Sequence, residues 1–145
     1  MKKQTFLLSL LFCVTVLSLT LRAQGVWGSD YRQALEQASR ENKDVLLDFT
    51  GSDWCPHCKT LVEKVFSQSA FQEFANKNLI LVEVDFPESK IQSNALKKQN
   101  EELQSQYQVT GYPTLILLDP KGHEVKRSHG TSSPEGLIKW ALDKP

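Results

Sequence analysis

The sequence predicts an α/β domain, a mixed β-sheet flanked by helices on both faces. Three observations predict it. Stretches with apolar residues at helical spacing alternate with short apolar runs of strand length. Two of those runs, residues 44–50 and 79–86, are joined through helical stretches, which implies parallel strands and a right-handed crossover. The last two runs, 114–118 and 123–128, flank the turn Asp119-Pro120-Lys121-Gly122, with Pro and Gly in favoured positions, so they add an antiparallel hairpin. Helices on both faces are what such an alternation requires.

The elements follow in order. Ser29 is positioned to cap a helix running to about residue 42, with Tyr31, Ala34, Leu35 and Ala38 on one face. Residues 44–50, Asp-Val-Leu-Leu-Asp-Phe-Thr, read as a buried strand. Leu61, Val62, Val65 and Phe66 then form a helical stripe, and residues 69–76 a short helix carrying Phe71 and Phe74. Residues 79–86 are a second buried strand, in which Glu83 and Asp85 alternate as a solvated or edge-facing row. Residues 89–107 are polar, Gln-rich and free of Gly and Pro. Their thin apolar face of Ile91, Ala95, Leu96, Leu103 and Tyr107 predicts one mostly solvated helix. After the hairpin, Ser133 caps a last helix with Pro134 at its first position and Leu137, Ile138, Ala141 and Leu142 inward.

The start of the chain reads differently. Lys2 and Lys3 precede an apolar run from Phe6 to Leu21, and Leu21-Arg22-Ala23 ends it on a small residue. That is the pattern of a secretory signal peptide over residues 1–23, leaving 24–145 as a single domain. An uncleaved membrane anchor is the rival reading. A lipid-anchored start at Cys13 is disfavoured by bulky Phe12 before it. Without Lys2, Lys3 and Arg22, the 17 basic residues fall to 14 against 17 acidic, a net charge of −3. Such a surface gives no reason to expect nucleic acid as a partner. No second apolar stretch is long enough to span a bilayer, so no stable membrane insertion is expected once the signal is removed.

Of three cysteines, Cys13 leaves with the signal. The remaining pair, Cys55 and Cys58, lies in Trp54-Cys55-Pro56-His57-Cys58. A pair this close closes too small a loop to staple a domain, which favours chemistry over stability. If Cys55 starts a helix, Pro56 is its first helical residue, where a missing N–H costs nothing. Cys58 then heads the apolar stripe and faces the core, while Cys55 sits at an exposed tip. The free N–H groups and the helix dipole favour a Cys55 thiolate, and protonated His57 adds to that. Trp54 supplies apolar surface beside the sulfur. An exposed thiolate can attack a disulfide, and a protected neighbour can resolve the mixed disulfide. Other readings stay open at this point. A zinc half-site is one, although zinc takes about four ligands and His123 and His129 lie on or beyond the hairpin. A purely structural disulfide is another. On residues alone, Pro113 is an ordinary trans proline heading a strand, and Asp48 a satisfied strand-end carboxylate.

These residues carry a resemblance. Trp54-Cys55-Pro56-His57-Cys58-Lys59 after a strand ending Leu47-Asp48-Phe49, then Gly111-Tyr112-Pro113-Thr114 opening another strand, resembles the thioredoxin superfamily. It covers about residues 29–143. Residues 45–86 look most like its periplasmic thiol–disulfide reductases. The resemblance implies a thioredoxin-like fold, whose usual first strand has only a stub here, around Val26 and Trp27. It implies Cys55 as nucleophile, Cys58 as resolving cysteine, and a redox disulfide between them. It implies a cis bond before Pro113 beside that disulfide, with Tyr112 free to pair with substrate backbone. It makes Asp48 the buried carboxylate that assists proton transfer to the resolving cysteine, at the cost of one extra residue in Gly51-Ser52-Asp53. Asp48 and Asp53, if near the sulfurs, oppose the thiolate.

The expectation is a monomeric, exported thiol–disulfide oxidoreductase that needs no cofactor, acts on protein disulfides or thiols, and is recharged by another redox protein. Direction is contested. The dipeptide Pro56-His57 resembles that of the strongly oxidising members. Only 26 residues separate Phe86 from Pro113, however, which leaves no room for the helical domain those members insert. A reductase is therefore favoured. The alternatives are a disulfide-forming oxidant and a non-enzymatic metal-binding or chaperone module.

Overall fold

The computed structural model describes residues 26–144. The signal peptide expected over 1–23 lies outside them. The elements are β1 (Trp27–Gly28), α1 (Tyr31–Glu41), β2 (Asp44–Thr50), α2 (Pro56–Leu61) with a π-helical continuation (Val62–Phe66), α3 (Ser69–Asn78), β3 (Leu79–Asp85), α4 (Asn94–Gln106), β4 (Thr114–Leu118), β5 (Glu124–Ser128) and α5 (Pro134–Leu142). The sheet order is β1-β3-β2-β4-β5. β1 and β2 run parallel to β3, whereas β4 is antiparallel to β2 and β5 to β4. The mixed sheet, the hairpin and the two-residue stub of a first strand all follow the sequence expectation.

Side-chain alternation splits the core between the two faces of the sheet. Val45, Leu47 and Phe49 of β2 face Ala34 and Ala38 of α1, Leu103 of α4 and Tyr107 at its C-terminal cap. Leu46 faces the other way, with Leu61, Val65 and Phe66, Phe71 and Ala75 of α3, and Leu137 of α5. Among the described residues no helix is long and apolar enough to cross a membrane.

Several local expectations are corrected. Asp30, not Ser29, caps α1, because its carboxylate accepts the Gln33 N–H at 2.9 Å. Asp30→Ala is expected to destabilise the domain by about 1 kcal/mol, read as a lower urea midpoint. Val62 is 48% exposed, because the π-helical turn rotates it off the stripe that keeps Leu61 and Val65 buried. Ile91 is fully exposed because α4 starts only at Asn94, and the helix buries Asn100 and Leu103 rather than Ala95. Asn100 is satisfied there by donating to the Asp85 carbonyl at 2.9 Å. At the end of α5, Leu142 is exposed and Trp140 packs against the core in its place.

β2 delivers the chain to the Cys pair. Its antiparallel pairing with β4 sets Phe49 opposite Thr114. The turn after β2 and the turn before β4 therefore meet at the same end of the sheet.

Candidate active site

The turn at residues 51–55 brings the first sulfur to the head of α2. Trp54 and Cys55 both donate their N–H to the Gly51 carbonyl, at 3.2 and 2.8 Å. A Cβ at Gly51 would collide with the Trp54 indole, so only glycine lets the ring fold back over this turn. Cys55 is the N-cap, Pro56 the first helical residue, and the Cys58 N–H donates to Cys55 Sγ at 3.2 Å. That donor is one of the free groups at a helix start which stabilise sulfur anions. Cys55 and Cys58 are joined in a disulfide with Cα atoms 5.3 Å apart.

Cys58 is 2% exposed, facing the core as expected. Cys55 is not at an exposed tip, being only 3% exposed. The disulfide and the N–H bond draw its sulfur back over the helix end, and Pro56 and His57 are the residues that project.

Aromatic side chains frame one side. The Trp54 indole N–H donates to the Phe86 carbonyl at 2.8 Å, and its ring meets Tyr112 edge-on at 5.9 Å. Tyr112 stacks on Phe86 at 5.2 Å and its hydroxyl accepts from Gln104 at 2.7 Å. Trp54 stays 40% exposed, leaving apolar surface beside the disulfide. Asp53 does not turn its carboxylate on the sulfurs. It accepts the N–H groups of Glu88, Ser89 and Lys90 at 3.0, 2.7 and 3.1 Å, which hold its carboxyl below the usual range.

On the other side the Tyr112–Pro113 bond is cis. Pro113 lines a groove together with His57, Leu61, His129 and Gly130. Gly130 has φ 99°, a conformation that favours glycine, and its Cα side abuts Pro113 and Leu61. In the sequence His129 stands only as a distant candidate metal ligand, and Gly130 carries no functional signal of its own. A position directly after the last strand of the hairpin was the available signal. Among the described residues no three His, Cys, Asp or Glu side chains converge in a way that could hold a metal ion.

Asp48 lies on the same face of β2 as Leu46, the face that α2 covers. It is 4% exposed, and its Oδ1 has no hydrogen-bond partner among the described residues. Burial raises its pKa to about 8, reinforced by the charges of Glu83 and Asp85. Those two acids are not a solvated row. Asp85 is buried and Glu83 half-buried, because alternation places them on the inner face with Leu79 and Leu81. Asp85 accepts the backbone N–H of Ser52 at 2.9 Å and its hydroxyl at 2.5 Å. The extra residue of the turn is thereby tied to β3.

The geometry therefore combines a disulfide at a helix start, a cis bond at the entry to β4 and a buried carboxyl, and a close cysteine pair of this kind can carry out thiol–disulfide exchange. Comparison with known proteins agrees. A sequence profile of the thioredoxin-like domain matches residues 31–144. The chain is 41% identical over 101 residues to the disulfide bond reductase DsbH of Chlamydia pneumoniae, covering 70% of this chain and 60% of that protein. It is 30% identical over 102 residues to the thiol:disulfide interchange protein DsbD of Actinobacillus pleuropneumoniae, covering 69% of this chain and 16% of that one. A solved structure of a DsbH oxidoreductase superposes with TM-score 0.76 at 35% identity, covering 83% of this chain and 84% of the other.

Proposed function

This chain belongs to the thioredoxin-like domain family, and on that premise we propose that it is an exported oxidoreductase that reduces disulfides in protein substrates. The observation that carries the proposal is the Cys55–Cys58 disulfide at the head of α2, whose His57 lines one groove with Tyr112 and Pro113 of the cis bond. In the reduced protein the Cys55 thiolate attacks a substrate disulfide. One substrate sulfur leaves as a thiol and the other is held on Cys55. Cys58 then gives up its proton, attacks Cys55 Sγ and expels the second substrate thiol. The substrate gains two electrons, and the pair returns to the disulfide. Pro56 and His57 set the stability of the Cys55 thiolate. Trp54, Tyr112 and Pro113 receive the substrate segment, and Asp48 exchanges a proton with Cys58.

No cofactor enters this cycle. An upstream redox protein recharges the pair, and the protein works as a monomer in the periplasm or outside the cell after its signal is removed. The reductive direction rests on the likeness to DsbH, whose name is disulfide bond reductase. The Pro56-His57 dipeptide argues the other way, since stabilising the thiolate makes a pair more oxidising.

Equilibration with glutathione decides between them. The expected potential lies nearer to thioredoxin, about −270 mV, than to the most oxidising members, about −120 mV. A value at the oxidising end, with faster oxidation of a reduced protein than reduction of an oxidised one, would overturn the reductase reading. A protein that bound stoichiometric zinc and exchanged no disulfide would be a metal-binding module instead.

A further inference from the structure

We propose that the groove beside Pro113 selects disulfides flanked by an acidic side chain, with His129 as the residue that determines this selectivity and His57 as its neighbour across the groove. The inference rests on the reductase reading above and names the kind of substrate segment that the site takes. A segment whose cysteine meets Cys55 and whose backbone runs along Tyr112 places a side chain next to that cysteine in the groove. The groove measures about 570 Å³. That lies within the ~300–1,000 Å³ of small-ligand sites, so it accepts a whole side chain.

Two elements bring imidazoles to it. His57 and Leu61, four residues apart in α2, share one face of that helix. This face meets the segment after β5, where a Cβ on Gly130 would lie 3.6 Å from Pro113 Cγ and 3.8 Å from the Leu61 methyls. His129 directly precedes Gly130, and both histidines are exposed and line the groove. Hydroxyls of Thr60, Thr131 and Ser132 line it too, but no carboxylate, lysine or arginine does. The charged groups near the disulfide lie elsewhere. Asp53 is on the Trp54 side, with Glu88, Lys59 and Lys90 around the same turn. Asp48, Glu83 and Asp85 lie on the inner face of the sheet. Arg127 of β5 is held by Glu124 and the Tyr107 carbonyl. Glu135, in the first turn of α5, lines a separate groove with Ile138 and Leu142.

Hydrogen bonding sets what the His129 ring offers. Thr114 Oγ1 donates its one proton to the Gly111 carbonyl at 2.7 Å. Towards His129 Nδ1, 3.4 Å away, it can then only accept, which assigns the ring proton to Nδ1. The other nitrogen, Nε2, makes no hydrogen bond among the described residues. In the neutral ring Nε2 presents a lone pair, which a carboxylate avoids. With a second proton it donates, the ring is a cation, and the bond to a carboxylate is charge-assisted. An amide side chain gains far less from that proton. Histidine changes charge between about pH 5 and pH 8, so preference for an acid is present at the lower pH and lost at the higher.

The test uses the full chain in its reduced form and synthetic peptide disulfides that differ in one residue, Glu, Gln or Lys, placed just before or just after the cysteine. Each peptide carries a fluorophore and quencher that separate on reduction, and reduced protein in excess gives a second-order rate constant. Each rate is divided by that of the same peptide with dithiothreitol, so the effect of the neighbouring residue on the disulfide itself cancels. At about pH 6, and at one of the two positions, the Glu peptide is expected to react about threefold faster than the Gln peptide, the size of an exposed charge pair. The Lys peptide is expected to react more slowly than the Gln peptide. At about pH 8.5 the differences are expected to vanish. His129→Gln is expected to erase the Glu-to-Gln ratio at about pH 6, and His129→Lys, charged at both pH values, to keep it at about pH 8.5. The ratio is taken within each variant, so a change in thiol reactivity or stability cancels. A ratio within about 1.5-fold of one at both positions at about pH 6, or a preference that His129→Gln leaves intact, overturns the selectivity. Equal reduction of all the peptides leaves the reductase reading standing. Reduction of none of them by a protein whose Cys55 still alkylates overturns that reading and the selectivity with it.

Discussion

Cys58→Ser is expected to turn the protein into a trap. Attack by Cys55 survives, but nothing resolves the product, so mixed disulfides with substrate proteins accumulate through Cys55. Turnover should fall by roughly 10³-fold or more, the scale of losing a covalent nucleophile. Cys55→Ser is expected to abolish turnover to the same degree and to capture nothing. Both variants lack the disulfide, so any shared loss of stability cancels in the comparison. The assignment of roles comes from position. Cys55 caps α2 and accepts the Cys58 N–H, whereas Cys58 lies one turn in, on the buried side of the helix. Non-reducing gels of each variant after mixing with an oxidised substrate read the outcome directly. Capture by Cys55→Ser with none by Cys58→Ser would mean that the two sulfurs act in the opposite order.

Asp48→Asn is expected to change stability in a pH-dependent way. The folded pKa of Asp48, about 8, lies above its ordinary value of 3.8. The native state therefore binds more protons than the unfolded state between those values, and stability falls as pH rises through that window. Below it both states are protonated and the effect vanishes. At one pKa unit per ~1.4 kcal/mol, the wild type loses a few kcal/mol between about pH 4 and pH 8. Asn cannot ionise, so the variant escapes this loss, and its advantage over wild type should grow across the window. Urea unfolding of the oxidised forms at about pH 5 and pH 8.5 measures it. Equal differences at both pH values would mean that Asp48 titrates normally in the folded protein. The same substitution is expected to slow exchange at Cys58, since its proton partner is gone. Stability and activity should thus move in opposite directions.

The sequence by itself determined the order of elements, the sheet that they build and the sulfur chemistry. Those rest on signals local in the chain: the apolar periods of residues 44–50 and 114–118, the Asp119-Pro120-Lys121-Gly122 turn, Ser133 before Pro134, and two cysteines one helical turn apart. The resemblance carried by the two motifs also pointed to the cis bond at Pro113, which no single-residue propensity would have favoured. What only the tertiary structure decided depends on which chain segments meet. Alternation on β3 states that Glu83 and Asp85 share a face, but not that this face is covered by α2 or that Asp48 stands next to Glu83 in register. Asp53 looked like a charge beside the sulfurs until the loop after β3 folded onto it and supplied three N–H groups. His129 and Gly130 reach the groove beside Pro113 only because β5 pairs with β4. Burial of charge is the physical divide. Whether a carboxyl is a surface acid or a neutral proton carrier depends on the water that its neighbours exclude, and those neighbours are distant in the chain.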